Sequence, residues 1–198
     1  MAENIYLPEF RVSYPHMFEP KLNELSGKME YSLVALFPLG ADLSKAKLAC
    51  KQIMIDKFGP DPKKWPDNLK SPFRDQNDKR KKDKDGNYYL PEPLVAGALF
   101  CNLRTINRPG LVDKAVKPII DPMEFYAGCW AIATVCPYYF DKMGNTGIAL
   151  GLRNVQKTRD DGPLSSRMKA EDEFQPIEGA AADPMFDDPK PTSATSMF

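Results

Sequence analysis

Long apolar runs are missing from this sequence of 198 residues. The longest stretches without a polar or charged side chain, such as residues 125–133, have nine residues, whereas about 18 to 20 are needed to span a bilayer. We therefore expect no transmembrane helix. Near the N-terminus Glu3 stands where a secretory signal needs basic residues, and no apolar stretch follows. These absences predict a cytoplasmic protein that stays where it is made.

Cysteine and histidine are scarce as well. The four cysteines form no Cys-x-x-Cys pair and lie within apolar segments, which predicts reduced, buried thiols rather than disulfides or zinc ligands. They are Cys50, Cys101, Cys129 and Cys136. The single histidine, His16, has no second ligand at metal-binding spacing and is predicted to be structural. We expect no metal and no other cofactor.

Familiar catalytic motifs are absent. The sequence contains neither the Gly-x-x-x-x-Gly-Lys-Ser/Thr loop of P-loop ATPases nor a Gly-x-Ser-x-Gly motif. Asp75, Asp78, Asp83 and Asp85 could hold Mg²⁺ for phosphodiester cleavage, but they alternate with lysines, and such a segment fixes metal geometry poorly. The sequence therefore predicts a protein without enzymatic activity, and a metal-dependent nuclease stays open as an alternative.

Charge is balanced overall but divided along the chain. There are 27 basic and 27 acidic residues, yet residues 171–198 hold one base and seven acids, a net of 1 − 7 = −6, which leaves residues 1–170 at 26 − 20 = +6. The composition of the acidic end buries too little apolar surface to offset the entropy of ordering. We predict one folded domain over residues 1–170 and a disordered acidic tail over residues 171–198.

Prolines separate short segments of β-type pattern. The 19 prolines are about twice the usual share, and alternating or β-branched runs between them predict strands. The predicted strands are residues 10–14, 31–37, 99–105, 128–139 and 146–155. The last two should form a hairpin with a longer turn over residues 141–145.

One helix is predicted, over residues 42–58. Its apolar residues recur at helical spacing, Asp42 is the N-cap candidate, and Gly59-Pro60 ends it. Five to seven strands with one helix define the fold class as mainly β. The expected architecture is a small OB-fold-like β-barrel, whose open face accepts oligonucleotides in this class of fold.

A long basic segment interrupts this pattern between residues 60 and 90. Residues 63–84 contain nine bases and four acids, a net of +5, which predicts an exposed basic loop. The turn-forming residues 85–87 are followed by Tyr88 and Tyr89, so the segment could form an extended hairpin arm.

Basic and aromatic residues together suit single-stranded nucleic acid, because cations follow phosphates and flat rings stack on bases. The candidate DNA-binding residues are Arg74, Arg80, Lys81, Lys82, Tyr88, Arg104, Arg108, Trp130, Tyr139 and Arg153. The charged run is also consistent with a solvated loop that binds nothing. Trp130 is also consistent with packing in the core, because only one face of its strand can be the core. Tyr138 and Tyr139 point to opposite faces if both are extended, so at most one should stack on a base.

Six separated motifs add a more specific signal. They are FRVSYPHMFEP (10–20), PFRD (72–75), RPGLVD (108–113), PIIDP (118–122), YAGCW (126–130) and GLRNVQK (151–157). In this order they resemble a phage family of single-stranded-DNA-binding proteins long catalogued as a domain of unknown function. The resemblance implies an OB-fold that coats single strands during viral DNA replication and recombination in the host bacterial cytoplasm.

The resemblance also implies a role for the acidic tail. In such proteins the tail competes with nucleic acid for the basic groove and recruits replication partners through a terminal aromatic residue. The corresponding residues here are Asp183, Phe186, Asp187, Asp188 and Phe198. The residues directly before Phe198 are neutral, so the motif supports tail competition better than partner docking. A strand-annealing recombinase remains an alternative, and the oligomeric state, monomer or dimer, stays open.

Overall fold

The computed structural model describes residues 4–24, 26–142 and 144–164. Its nine strands are β1 (Ile5–Asn23), β2 (Lys28–Leu36), β3 (Arg74–Asp75), β4 (Lys81–Lys82), β5 (Tyr88–Tyr89), β6 (Leu99–Thr105), β7 (Gly110–Val112), β8 (Trp130–Lys142) and β9 (Asn145–Arg159). One α-helix, α1 (Ser44–Phe58), and three 3-10 turns, Pro62–Lys64, Gln76–Lys79 and Pro122–Glu124, complete these elements. The predicted tail, including Asp183, Phe186, Asp187, Asp188 and Phe198, lies outside the described residues, as does the predicted domain boundary at residue 170.

Five of these strands close into a barrel. The order is β6-β2-β1-β8-β9, and β9 returns to β6 through a parallel pairing of Leu103 with Leu150 and Arg104 with Gly151. A closed barrel of five strands is the architecture of the OB-fold, so the predicted fold class is confirmed. The helix, β3 and the basic arm are all inserted between the second and third barrel strands, β2 and β6.

The barrel core follows the strand alternation. Leu33, Ala35, Leu103 and Val135 are almost completely buried, because every second side chain of a strand points to the same face. On β8 the buried positions are the small residues Ala131 and Ala133 together with Val135 and Pro137. Trp130 and its alternate neighbours therefore lie outside the core, which decides between the two faces that the sequence left open.

The helix begins later than predicted. Leu43, not Asp42, precedes its first turn and gives no side-chain cap, while Asp42 Oδ1 accepts a hydrogen bond from the Ser44 backbone N–H at 2.9 Å. The predicted N-cap is therefore wrong, because the Asp42 side chain closes a local turn instead. The predicted C-terminus is confirmed: Gly59 has φ of 88° and its N–H donates to the Ile55 carbonyl at 2.8 Å.

Two strand predictions also need correction. The β8–β9 ladder continues to the pair Lys142 and Asn145, so the hairpin turn has two residues instead of the longer predicted turn, and Gly144 supplies the positive φ of 76°. The predicted strand 10–14 is only the middle of β1, which has 19 residues. Register shifts after Leu7, Ser13 and His16 let this strand continue past its prolines.

The cysteines are all free. Cys50, Cys101 and Cys129 are buried as predicted, whereas Cys136 is only half-buried because it faces outward on β8. Burial raises the pKa of the Cys50 thiol to about 11, so it is un-ionised at neutral pH. Within the described residues there is no cluster of three or more potential metal ligands. Among the helices of this part of the chain, none has the length and apolar character that crossing a bilayer requires.

The basic segment forms the predicted hairpin arm. Lys81 pairs with Tyr89 and Lys82 with Tyr88. Asp83 closes the turn, because its Oδ1 accepts hydrogen bonds from the N–H groups of Asp85 at 2.9 Å and Asn87 at 2.8 Å. Every residue from 81 to 89 is exposed, which leaves the arm free to meet a ligand.

Candidate nucleic-acid interface

The outer surface of β2 and β6 is the first region to consider, because OB-folds bind oligonucleotides on the corresponding strands. Ser32 of β2 pairs with Arg104 of β6, and Val34 pairs with Asn102. Phe100 shares the outer side of β6 with Asn102 and Arg104. We call this surface the β2–β6 face. It consists of Ser32, Val34, Phe100, Asn102 and Arg104.

Arg104 is exposed and lies beside a glycine of the neighbouring strand. Its partner on β9 is Gly151, and a Cβ placed on Gly151 would lie 3.6 Å from the ring of Tyr138. The missing side chain at Gly151 lets the tyrosine ring lie close to the strand. Burial and nearby Glu30 raise the pKa of Tyr138, while Arg104 opposes that shift. A cation and a half-exposed ring therefore lie together here.

A β-bulge in β9 presents a second cation. Thr134 pairs with Asn154 and Val135 with Leu152, so Arg153 is an extra residue without a direct partner. Both Arg153 and Asn154 are exposed as a result, since a bulge re-aims side chains. Arg153 and Arg108 share an open groove with a mostly polar lining. Its residues are Asn4, Thr105, Asn107, Arg108, Leu152, Arg153 and Asn154.

Two further cations cover Phe100 at the other end of β6. The Arg74 guanidinium carbon lies 4.5 Å and Lys79 Nζ 4.6 Å from the centroid of this ring. Phe100 is consequently only 1 % exposed although it is on the outer side of the strand. Burial and the charge of Arg74 lower the pKa of Lys79. Neither cation forms a salt bridge within residues 4–24, 26–142 and 144–164.

Gln76 holds these two cations in place. This buried amide donates from Nε2 to the carbonyls of Phe37 and Leu99, both at 2.9 Å, and its Oε1 accepts from the Val95 N–H at 2.8 Å. Both N–H groups of the amide and its oxygen thus have partners, which stabilises a buried polar group. The side chain fixes the segment that carries Arg74 and Lys79 against the barrel.

The arm residues follow directly after this segment. Arg80 Nη2 donates to Asn77 Oδ1 at 3.0 Å, and Lys82 Nζ lies 5.0 Å from the Tyr88 ring centroid. Arg80, Lys81, Lys82 and Tyr88 are therefore grouped on one exposed hairpin. In the chain this hairpin follows directly after Lys79, which lies over the ring of Phe100.

Tyr139 lies elsewhere. Its ring packs edge-on against Phe58 of α1 with centroids 5.6 Å apart, and Lys57 Nζ lies 5.1 Å from its centroid. It is thus on the end of the barrel that the helix covers. Its neighbour Tyr138, 48 % exposed, is the tyrosine that lies beside Arg104, whereas the predicted Tyr139 lies beside the helix.

Trp130 also lies apart from the β2–β6 face, within a network of ion pairs. Its Nε1 donates to Asp161 Oδ2 at 2.8 Å, and the Arg159 guanidinium carbon lies 4.0 Å from its ring centroid. Arg159 in turn pairs with Glu9 at 3.1 Å. We call this region the Trp130 patch. It comprises Glu9, Arg11, Tyr126, Trp130, Lys157, Arg159, Asp160 and Asp161.

The remaining cations of the Trp130 patch are neutralised too. Lys157 pairs with Asp160 at 2.6 Å, and Arg11 lies 3.6 Å from Asp161. Hydrogen bonds from Lys157 and Tyr126 lower the pKa of Asp160, and that from Trp130 lowers the pKa of Asp161. The carboxylates stay ionised at neutral pH, so this patch offers little free positive charge to a polyanion.

Two of the acids considered for metal-assisted cleavage have structural roles. Asp75 Oδ1 accepts from the Asn77 N–H at 2.8 Å and caps the 3-10 turn Gln76–Lys79. Asp83 Oδ1 accepts from the Asp85 and Asn87 N–H groups and closes the turn of the arm. Their positions on separate turns give no support to a shared metal site.

The DNA-binding residues selected from the sequence leave out three residues of this region: Lys79, Gln76 and Tyr14. Lys79 belongs to the basic run, but only its contact with Phe100 distinguishes it from its neighbours. Gln76 has no signal in the sequence, because its partners are backbone groups. Tyr14 is 69 % exposed at a strand irregularity, although it belongs to one of the motifs quoted above.

The barrel and its uncompensated cations define the class of protein: an OB-fold protein with a surface suited to a polyanion. The chain belongs to the family described as "Enterobacter phage Enc34, ssDNA-binding protein", which matches residues 3–186. The resemblance seen in the sequence motifs is thereby confirmed. No curated protein matches the chain.

Solved structures with the same fold include two of the Enc34 single-stranded DNA-binding protein. The one in complex with ssDNA is 22 % identical with a TM-score of 0.62, covering 82 % of this chain and 89 % of that chain. A C-terminal truncation is 24 % identical with a TM-score of 0.60, covering 81 % and 88 %. The gp2.5 single-stranded DNA-binding protein of bacteriophage T7 is 11 % identical with a TM-score of 0.51, covering 84 % and 97 %.

Proposed function

We propose that this protein binds single-stranded DNA without sequence preference and holds the strand across the β2–β6 face. One observation carries the proposal. Arg74, Lys79, Arg104, Arg108 and Arg153 form no salt bridge in the part of the chain that the structure describes, whereas the three salt bridges found there all belong to the Trp130 patch. Cations without carboxylate partners are free to contact phosphates. The similar Enc34 structure with ssDNA supports this choice of ligand.

The mechanism combines two contributions. Each phosphate that a lysine or arginine neutralises releases counterions, which gives a slope of about −0.7 per contact in a plot of log K against log salt for single strands. Aromatic rings add base stacking that tolerates any sequence. Arg104 with Tyr138 on the barrel, and Lys82 with Tyr88 on the arm, each bring a cation and a ring together.

The family match supports a biological setting for this activity. We propose that residues 1–170 are the DNA-binding domain and that it acts without enzymatic activity in phage DNA replication and recombination, inside the host bacterial cytoplasm. The acidic tail, residues 171–198, would compete with DNA for the same cations and recruit phage replication proteins. Asp183, Phe186, Asp187, Asp188 and Phe198 are the tail residues proposed for these contacts.

A fluorescence anisotropy titration of the full chain tests the proposed function. The oligonucleotides are fluorescein-labelled dT, mixed-sequence single-stranded DNA, the matching duplex and the matching RNA, each at several salt concentrations. We expect dT and mixed-sequence single-stranded DNA to bind with similar affinity. For both, log K should fall by several units for each unit increase in log salt. Absence of dT binding at 50 mM salt would refute the proposal. Loss of labelled strand during incubation with Mg²⁺ or Mn²⁺ would point to a nuclease instead.

A further inference from the structure

Tyr14 lies at a β-bulge on the flank of the β2–β6 face. Ser13 pairs with Val34 and His16 with Ser32, so Tyr14 and Pro15 together stand opposite Leu33 alone. A bulge of this kind turns a side chain away from the direction that strand alternation would give it. Here it leaves the Tyr14 side chain 69 % exposed.

The backbone at Tyr14 is in an unfavourable conformation. Its φ is +46°, in the left-handed region that glycine and asparagine enter readily and bulky residues rarely do. Burial does not offset this cost, because most of the side chain is in solvent. Among the described residues, Tyr14 has no recorded side-chain hydrogen bond or ring contact. Backbone strain that neither packing nor a hydrogen bond of the side chain offsets is typical of functional sites.

The position of Tyr14 fits a stacking role. Ser32, which ends the bulge on β2, is the direct partner of Arg104 on β6. On the other side of Arg104, Tyr138 lies across Gly151. Tyr14 on β1 and Tyr138 on β8 therefore flank Arg104 from opposite sides of the face.

We propose that Tyr14 is a base-stacking platform of the DNA site, held ready by the strained bulge. This inference rests on the proposed function, because it assigns one contact within the same interface. The bulge fixes the backbone that carries the ring, so binding has to restrict only the rotation of the side chain. Stacking on an exposed ring accepts any base, which agrees with binding that is independent of sequence.

Val116 supplies a matched control for the strain. It is the other non-glycine residue with positive φ within the described ranges, at +62°, and is also 69 % exposed. It lies in a turn after β7, where Asp113 Oδ1 accepts from the Ala115 and Lys117 N–H groups, both at 2.8 Å. This turn is not part of the β2–β6 face, so Val116→Gly changes strain without removing a ring from that face.

The test measures dT binding by anisotropy in the full-length wild-type chain and in Tyr14→Gly, Tyr14→Asn, Tyr14→Phe and Val116→Gly. We expect Tyr14→Gly and Tyr14→Asn to bind roughly 5- to 100-fold more weakly, the range that loss of one stacked base would give. Tyr14→Phe and Val116→Gly should bind like the wild type. The melting temperature of each variant is measured as well. We expect neither glycine variant to melt at a lower temperature than the wild type, because both substitutions relieve backbone strain.

A second readout uses oligonucleotides with a single abasic site moved along the strand. In short oligonucleotides that bind in one register, we expect one abasic position to weaken binding to the wild type and to Tyr14→Phe but not to Tyr14→Gly. Wild-type affinity of both Tyr14→Gly and Tyr14→Asn would overturn the inference and leave the proposed function standing. Failure of the wild type itself to bind dT would instead refute the proposed function.

Discussion

The β2–β6 face and the Trp130 patch each place a cation beside an aromatic ring and differ in what surrounds the cations. Arg104 of the β2–β6 face lies beside the half-exposed ring of Tyr138, and in the Trp130 patch Arg159 lies over the ring of Trp130. In the Trp130 patch Arg11, Lys157 and Arg159 each have a carboxylate partner, whereas Arg104 and Arg153 have none among the described residues. A basic residue becomes available to a phosphate only where the fold brings no acid beside it.

The Trp130 patch instead fastens a segment of the chain itself. The Leu164 N–H donates to the Ala127 carbonyl at 2.8 Å, and Arg11 Nη2 donates to the Gly162 carbonyl at 2.8 Å. Gly128 has φ of +121°, and a Cβ there would come within 2.4 Å of the Gly162 carbonyl oxygen. Residues 160–164 are thus packed closely on residues 126–130, and the polar groups of the patch are used in this contact.

The largest effect is expected from breaking that contact. Gly128→Ala should lower the free energy of unfolding by about 2 to 4 kcal/mol, because it combines a backbone clash with a left-handed φ. DNA affinity should be unchanged at temperatures where the variant is folded, since the β2–β6 face is not altered. Thermal denaturation and dT anisotropy measure the two quantities. Gly40→Ala is the control: it has φ of +81° but nothing within 4 Å of the added Cβ, so its loss should be near 1 kcal/mol.

The converse change removes Arg104 from the β2–β6 face together with Arg153 of the groove that also contains Arg108. The double variant Arg104→Ala, Arg153→Ala should bind dT about 10- to 100-fold more weakly at low salt. Because two phosphate contacts are lost, the slope of log K against log salt should become shallower by about 1.4. Stability should change little, because neither side chain is buried or ion-paired in the described part of the chain. Lys45→Ala, Lys51→Ala, on the exposed side of α1, removes the same charge as a control. Equal losses in the two double variants would mean that only net charge matters.

A smaller effect is expected from the tail. Deleting residues 171–198 removes seven acids and one base and should raise dT affinity several-fold at low salt. The gain should shrink as salt screens the attraction between tail and barrel. The full-length variant Asp183→Asn, Asp187→Asn, Asp188→Asn should show part of the same gain. Unchanged affinity in both variants at low salt would rule out competition by the tail.

The smallest effect concerns pH and the Trp130 patch. Hydrogen bonds from Arg159 and Thr158 lower the pKa of Glu9, and the pKa values of Asp160 and Asp161 are lowered likewise. A lowered folded-state pKa means that the stabilisation is present above the unfolded-state value, near 4, and is lost as pH falls through the folded-state value. Arg159→Gln should therefore lower the melting temperature by about 1 to 3 °C at pH 7 and by less at pH 3. An equal decrease at both pH values would contradict this explanation.

The elements of the fold were largely predictable, because strand alternation and the helical pattern are local. The stretch from Leu99 to Thr105 was predicted with the observed bounds, and the basic arm follows from its charge and its turn residues. For the site, the sequence indicated which kinds of residue take part but not which of them lie together. Trp130 and Tyr139 looked like stacking rings, but Asp161, 31 residues from Trp130, and Phe58 on α1 engage them, and such partners are invisible to local patterns.

Strand irregularities account for the other differences. The bulge that exposes both Arg153 and Asn154, and the one that turns Tyr14 outward, insert one residue into an otherwise regular ladder. A single inserted residue reverses which side chains face solvent, so alternation read from the sequence fails beyond it. The conformation of Tyr14 could not be anticipated either, because positive φ is rare for tyrosine.

Hydrogen–deuterium exchange of the full chain with and without dT oligonucleotide tests the central claim most directly. With the oligonucleotide bound, the protein should gain protection in peptides covering residues 28–36 and 99–108, which include the β2–β6 face and Arg108. Peptides covering residues 126–130 and 157–164 should exchange at the same rate in both samples. Protection confined to those last peptides would place the strand on the Trp130 patch and contradict the assignment of the interface.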